Sequence, residues 1–362
     1  MALTVLYAYF GVHVISGNEL VNIDYSVTDN DPSDSPFFWG QTPPDSVEYI
    51  LNGNDHINID ASTFDNNFVN AGAGMDMVFG GSGKDTVYGS LGDDVLAGNA
   101  GNDILDGGAG DDDISGGNGA DFLYGWLGSD GLDGGTGNDQ LYGDVGDDSL
   151  NGGDGNDRVY GGTGSDQIDG GLGNDDIRGN LDNDSIFGND GDDSIRGGSG
   201  DDEMNGGLGI DVIRGNTGSD YIFGDAGNDD LRGGDGNDEI EGGLGADIMR
   251  GGWGRDAFYY AEAADTGKTA ATRDIIADFD HGSDKIDVYD VDGNTALAGD
   301  QAFALTAANG TGAFTAAGQI RFLASGTGVL IQFNTGGTLA ADLVIEIEND
   351  VVGNWSLDDF WV

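Results

Sequence analysis

From Gly80 to Tyr259 the chain repeats with a period of nine residues through twenty units, without an insertion or a deletion. Position 8 of the unit is always apolar, from Val87, Leu96, Leu105, Ile114 and Leu123 on to Met249 and Phe258. Position 6 is always Asp, position 1 is always Gly, and position 4 is Gly in every unit except the one with Asp182. A less regular unit, 71–79, precedes them and carries Asp76 and Val78 at the same two positions. Positions 7 to 9 predict a short strand, whose alternation turns position 8 to one face and positions 7 and 9 to the other. The glycine-rich positions 1 to 6 predict a tight turn with backbone at positive φ. Two units then make one coil, and successive coils stack as parallel strands about 4.8 Å apart. No Pro falls within the repeats, as central strands require. A fixed period of this kind specifies a stacked, solenoid-like architecture. The prediction is an all-β protein built on a parallel β-roll over residues 71–259.

The pattern changes on either side. Residues 1–70 predict a β-rich cap merging into the roll. Leu3, Val5, Tyr7 and Tyr9 alternate, and all four prolines (Pro32, Pro36, Pro43, Pro44) share one loop-like stretch with Phe37, Phe38 and Trp39. These aromatics suit either cap core or an assembly surface. Gly53-Asn54-Asp55-His56-Ile57 and Phe68-Val69-Asn70 look like worn repeats. Residues 260–362 shift to Ala, Thr and longer strands over 318–334 and 341–348, which predicts a C-terminal β-sandwich-like cap.

Composition narrows the chemistry. The formal net charge is −55, from 67 acids against 12 Lys and Arg. Such a surface repels nucleic acid and anionic membranes, and it calls for counter-cations. There is no Cys, so thiolate metal sites and disulfides are excluded. No run approaches the ~20 apolar residues of a membrane span. The first cation is Lys84, so the N-terminus lacks the positive region of a secretory signal peptide.

Stacking places the position-6 carboxylates in two columns. One holds Asp76, Asp94, Asp112, Asp130, Asp148, Asp166, Asp184, Asp202, Asp220, Asp238 and Asp256; the other holds Asp85, Asp103, Asp121, Asp139, Asp157, Asp175, Asp193, Asp211, Asp229 and Asp247. Neighbours in a column, about 5 Å apart, repel by about 0.8 kcal/mol in water and by more when dehydrated. A hard cation with six to eight oxygen ligands, taken from these carboxylates and the turn carbonyls, removes that repulsion. Ca²⁺ suits such flexible geometry better than Mg²⁺, and Zn²⁺ prefers N or S ligands. Eleven and ten carboxylates leave ten and nine gaps, hence roughly 19 ions, and full loading would bring −55 to about −17. One inward side chain for every nine residues is a thin core, so the repeats are expected to stay largely disordered until calcium binds.

Gly107-Gly108-Ala109-Gly110-Asp111-Asp112-Asp113-Ile114-Ser115 resembles the RTX (repeats-in-toxin, haemolysin-type) nonapeptide. The resemblance covers residues 71–259. It implies a right-handed parallel β-roll, calcium held between turns by the position-6 Asp and loop carbonyls, and secretion from a Gram-negative bacterium through a type I apparatus. The stretch from Asp274 to Asp287 resembles the D-x-I-x-D-F-x-x-G-x-D-K-I-D element of the caps of secreted RTX proteases. The ending Leu357-Asp358-Asp359-Phe360-Trp361-Val362 resembles their uncleaved secretion signal. The family's acidic loop near the end corresponds here to Asn334-Thr335-Gly336-Gly337, without its acids. Asp182 departs from the repeat and predicts a local irregularity beside Asp184.

No H-E-x-x-H or G-x-S-x-G occurs, and His13, His56 and His281 are far apart in sequence. The expectation is therefore a non-enzymatic, secreted, calcium-binding protein of a surface layer, biofilm matrix or filament, self-associating or docked on cell-surface polysaccharide. A soluble effector in host interaction and an enzyme's carrier module are the alternatives. Arg178, Arg196, Arg214, Arg232 and Arg250 should line one face, continued by Tyr124, Tyr142 and Tyr160. These arginines either pair with acids such as Asp176 and Asp230 or form a docking stripe.

Overall fold

The structure, a computed structural model, describes residues 12–14, 20–23, 48–50, 56–59, 66–261, 265–269, 271–288, 304–305, 313, 315–335, 341 and 343–361. The expected strand through Leu3 to Tyr9 and the stretch Phe37 to Trp39 lie outside these residues. The chain divides into two compact units, Met1–Leu172 and Gly173–Val362.

In the first unit the described strands form two parallel ladders. One contains Val12–Val14, Glu48–Ile50, Phe68–Ala73, Thr86–Leu91, Ile104–Ala109, Phe122–Leu127, Gln140–Val145 and Arg158–Thr163. The other contains Leu20–Ile23, His56–Ile59, Met77–Ser82, Val95–Ala100, Asp113–Asn118, Gly131–Thr136, Ser149–Asp154 and Gln167–Leu172. His56 and Ile57 of one worn repeat and Phe68–Asn70 of the other thus take places in the stack. Position 8 pairs with position 8 one coil on, Val87 with Leu105 and Leu105 with Leu123. All these side chains are buried, as the alternation predicts.

The strands are longer than expected. Each regular one spans six residues, positions 7 to 9 and then 1 to 3 of the next unit, so that only positions 4 to 6 lie between strands. Position 2 does take positive φ, 107° at Gly81 and 73° at Asn99, yet the two still pair across the ladder. Every coil kinks at the same place, so the kinks stack and the ladder hydrogen bonds survive. Ser90, Asn99, Asp144 and Trp126 occupy this conformation; Asn and Asp tolerate it best, and Trp126 is unusual.

The second unit has two parallel ladders of the same kind. One runs Asp176–Leu181, Ser194–Ser199, Val212–Thr217, Asp230–Gly236, Ile248–Gly254 and Ile275–Ile276. The other runs Ser185–Asp190, Glu203–Leu208, Tyr221–Gly227, Glu239–Glu241, Ala257–Tyr259, Lys285–Asp287 and Phe360–Trp361. The irregularity expected at Asp182 is confined to its own backbone: φ is 74°, against 150° at Gly191 and 137° at Gly200 in the same position of the repeat, and the strands on both sides keep six residues.

Beyond the repeats, Ile275–Ile276 also pairs with Glu346–Ile347. Leu343–Glu348, Gly328–Asn334 and Gln319–Ala324 then form an antiparallel meander within the two stretches expected as strands. Their inward residues, including Ile320, Phe322, Val329, Ile331, Phe333 and Ile345, are fully buried. Trp355 lies 4.8 Å from Phe279 and 5.7 Å from both Phe322 and Phe360, ring centre to ring centre. His281 sits between two carboxylates, Nε2 2.9 Å from Asp350 and Nδ1 3.2 Å from Asp359. It is therefore part of the packing of this region. Among the described residues no helix is long and apolar enough to cross a membrane.

Candidate metal centre

Position 6 is the last residue of each three-residue turn, and its side chain folds back against the strand that comes before the turn. In the first unit Asp76, Asp94, Asp112, Asp130, Asp148 and Asp166 stand in one column, and Asp85, Asp103, Asp121, Asp139 and Asp157 in the other. In the second unit the columns are Asp175, Asp193, Asp211, Asp229 and Asp247, and Asp184, Asp202, Asp220, Asp238 and Asp256. All are buried, at 3% exposure or less.

The two carboxylate oxygens have different fates. Oδ1 accepts the backbone N–H of the position-6 residue one coil earlier, for example Asp76 N–H to Asp94 at 2.8 Å and Asp85 N–H to Asp103 at 2.7 Å. Oδ2 is the orphan. In Asp94, Asp112, Asp130 and Asp148, and likewise in Asp193, Asp211, Asp229 and Asp247, it is buried with no hydrogen-bond donor. A buried anionic oxygen without a partner is strongly unfavourable, so it marks a missing cation or proton.

What surrounds Oδ2 favours a cation. The glycine at position 1 of the same unit lies against it, and a carbonyl oxygen from the next coil joins from the other side. A Cβ built on Gly89 would sit 2.3 Å from Asp94 Oδ2 and 2.7 Å from the Gly107 carbonyl oxygen. At Gly98 the same contacts are 2.3 Å to Asp103 Oδ2 and 2.8 Å to the Gly116 oxygen. Position 1 is therefore glycine for want of room rather than for positive φ, which it does not adopt. Among the described residues no three acidic or histidine side chains gather at one point. Each candidate site combines carboxylate with backbone carbonyl, a hard, all-oxygen set that fits calcium.

Burial raises the carboxyl pKa along the columns. Asp94, Asp103, Asp193, Asp229, Asp238 and Asp247 are pushed up to about 7, and the N–H bond to Oδ1 only partly offsets the desolvation. Neighbouring carboxylates add to the rise, as Asp112 and Asp76 do at Asp94.

The structure adds residues at the ends of the columns, Asn67 in phase with the repeat and Asp274 and Asp284 out of it. Asn67 heads one column, its backbone N–H and its Nδ2 both donating to Asp85 Oδ1 at 2.8 and 2.6 Å. Asp274 and Asp284 close the columns, accepting the N–H of Asp247 at 3.0 Å and of Asp256 at 3.1 Å. Asp274 is fully buried and pushed up to about 8, chiefly by desolvation, and its Oδ2 is also an orphan. The spacings here are 27 and 28 residues instead of 18. The sequence signal was the D-x-I-x-D-F-x-x-G-x-D-K-I-D element itself, which holds both residues.

A profile for the RTX calcium-binding nonapeptide repeat, four copies long, matches overlapping stretches from residue 62 to residue 266, more than half of the chain. Among solved structures, the solution structure of a subunit of the Azotobacter vinelandii mannuronan C5-epimerase is similar. It is 27% identical over 44% of this chain and 77% of that one, with a TM-score of 0.26. No curated protein matches. By its repeats the chain belongs to the RTX calcium-binding nonapeptide repeat family.

Proposed function

We propose that this is a secreted, non-enzymatic protein whose roll takes up calcium outside the cell, folds on it, and serves as a structural or adhesive part of a cell surface or extracellular matrix. The observation that carries this reading is the orphan Oδ2, repeated coil after coil along both columns. An appended tether would need only a few such sites, whereas here they run through most of the chain. The position-6 aspartates, Asp76 to Asp256, would hold the ions together with backbone carbonyls such as those of Gly107 and Gly116. Calcium supplies two positive charges and a flexible oxygen-coordination sphere at each gap, roughly 19 in all. The chain's own part is to desolvate the carboxylates, orient them through the Oδ1 bond and leave room at position 1. Residues 71–259 would be the working roll, and residues 1–70 and 260–362 its caps, the latter bearing a type I secretion signal at the C-terminus.

The test is a calcium titration of chelated protein, followed by far-UV circular dichroism and calorimetry. Strand signal should rise cooperatively with calcium, with a stoichiometry near the number of gaps. Full strand signal in EDTA, or binding of only one or two ions, would reject it. Electron microscopy in millimolar calcium then checks the surface role, for which sheets or filaments are expected.

A further inference from the structure

The calcium chemistry leaves two outward stripes unexplained, one in each unit. In the second unit Arg178, Arg196, Arg214, Arg232 and Arg250 are direct neighbours on successive strands. Adjacent guanidinium groups at the strand spacing of about 4.8 Å repel one another. Two carboxylates relieve part of this. Asp176 bridges Arg178 and Arg196 at 3.0 Å each, and Asp230 bridges Arg232 and Arg250 at 2.7 Å each. Burial alone would raise the Asp230 carboxyl, but the two arginines outweigh it and hold it below the usual range.

The pairing expected from the sequence is therefore present, and it is incomplete. Each paired arginine takes an acid that lies either two or twenty residues before it. For Arg214 those places hold Val212 and Ser194. No carboxylate among the described residues makes an ion pair with it. Two acids serve four of the five cations, with Asp278 close enough to Arg250 to feel its charge, and positive charge is left in excess at Arg214 on a chain that carries −55 in total.

In the first unit Tyr124, Tyr142 and Tyr160 hold the same position of the repeat. Their rings stack at 5.0 and 4.9 Å with interplanar angles of 8° and 2°. The ring faces cover one another, so the stack offers ring edges and hydroxyl groups. Tyr142 Oη donates to Gln140 Oε1 at 3.3 Å, which leaves the phenol oxygen able to accept. Trp126, 49% exposed, extends the stack 6.4 Å from Tyr124. Asp106 is the strand neighbour of Tyr124, and Asp144 that of Trp126. Arg158 is the cation beside this patch.

We propose that the arginine line of one copy of this chain docks onto the tyrosine stack of another. The guanidinium groups would donate to the phenol oxygens and to Asp106 and Asp144, and one would lie over the Trp126 ring. Arg214 gains the carboxylate its own unit does not provide. Both stripes are β-ladders with the same spacing, so a contact made at one strand repeats at the next. Arg, Tyr and Trp are also the residues that dominate interface energies. The contact joins two different stripes, and each copy carries both halves of it. This deepens the self-association proposed above and rests on it, while calcium-dependent folding does not depend on it.

Sedimentation velocity of the full chain in calcium tests the proposal, with circular dichroism and calcium content confirming that every variant is folded and loaded. The wild type should associate with rising concentration. Arg214→Glu alone and Tyr142→Lys alone should each weaken association by about tenfold or more. A 1:1 mixture of the two variants should form pairs, because an intact arginine line meets an intact tyrosine stack. A folded, loaded wild type that stays monomeric overturns the docking and leaves calcium folding standing. Variants that associate like the wild type, or a mixture that forms no pairs, also overturn it. So does loss of binding to a soluble uronate polysaccharide in Arg214→Glu with association unchanged, which would make the line a polyanion site.

Discussion

The repeats and the meander of the second unit are both β-structure, yet different forces hold them. A repeat buries one apolar side chain and one aspartate in every nine residues, as Ile213 and Asp211 do. The meander buries alternate residues along two strands, Ile320, Phe322, Val329, Ile331 and Phe333, and five in a row from Leu343 to Ile347 in the third, and packs Trp355 and Phe360 on top. Where the meander does bury an acid, Glu346, it supplies Arg273 at 2.7 Å and hydroxyls from Ser325 and Thr327. Asp193, Asp211, Asp229 and Asp247 each receive one N–H bond at Oδ1 and no donor at the second oxygen. A buried carboxylate can thus be settled from within the chain or left for an external cation, and this protein does both.

Chelation should separate the two most sharply. In EDTA, amide hydrogen exchange across the Asp193–Asp256 repeats should accelerate to near the unfolded rate, while strands 319–324 and 328–334 keep measurable protection. Equal loss in both would erase the distinction. The next effect is local to the meander. Phe322→Ala removes a fully buried ring and should cost about 3–5 kcal/mol, with calcium stoichiometry unchanged.

Acid sharpens the comparison from the other side. Burial raises the repeat carboxyls to about 6 or 7, against about 4 in an unfolded chain. In that window the calcium-free folded form binds more protons than the unfolded one. Its stability is therefore complete below about pH 4 and is lost as the pH rises through 6 to 7. Calcium-free protein should accordingly gain strand signal on titration from pH 7.5 to 4.5, and calcium affinity should fall over the same range. A strand signal flat with pH in EDTA would contradict the assignment. The smallest effect belongs to the half-exposed ion pairs. Arg232→Gln should change stability by about 0–1 kcal/mol in a denaturant titration.

Much of the roll was legible because its period is a physical constraint. Position 8 had to point inward, and position 6 had to recur beside itself. The reason for glycine at position 1 was not legible, because it depends on where Oδ2 of a residue five positions on comes to rest. Strand length was misjudged for a related reason: positive φ at Gly81 and Asn99 reads as a turn in one coil but pairs when every coil repeats it. Asp274 and Asp284 escaped as members of the columns because coil length changes after Tyr259 while column geometry does not. Asp176 and Asp230 were legible as arginine partners in one of two open readings, since position 7 and position 9 share a face. The vacancy at Arg214 required the observed rule of one acid for two arginines.

The bond from a backbone N–H to Oδ1 of the aspartate one coil on has a consequence for how the columns fill. Each carboxylate is oriented by its predecessor, so an occupied gap prepares the next, and nearest-neighbour coupling makes the array a one-dimensional lattice. Such a lattice has no critical residue, only boundaries between filled and empty stretches. A single defect, Asp130→Ala for instance, would act as a boundary that both sides must nucleate past. Calcium concentration would then set the length of the ordered stretch, and the fold would report its surroundings in units of one coil.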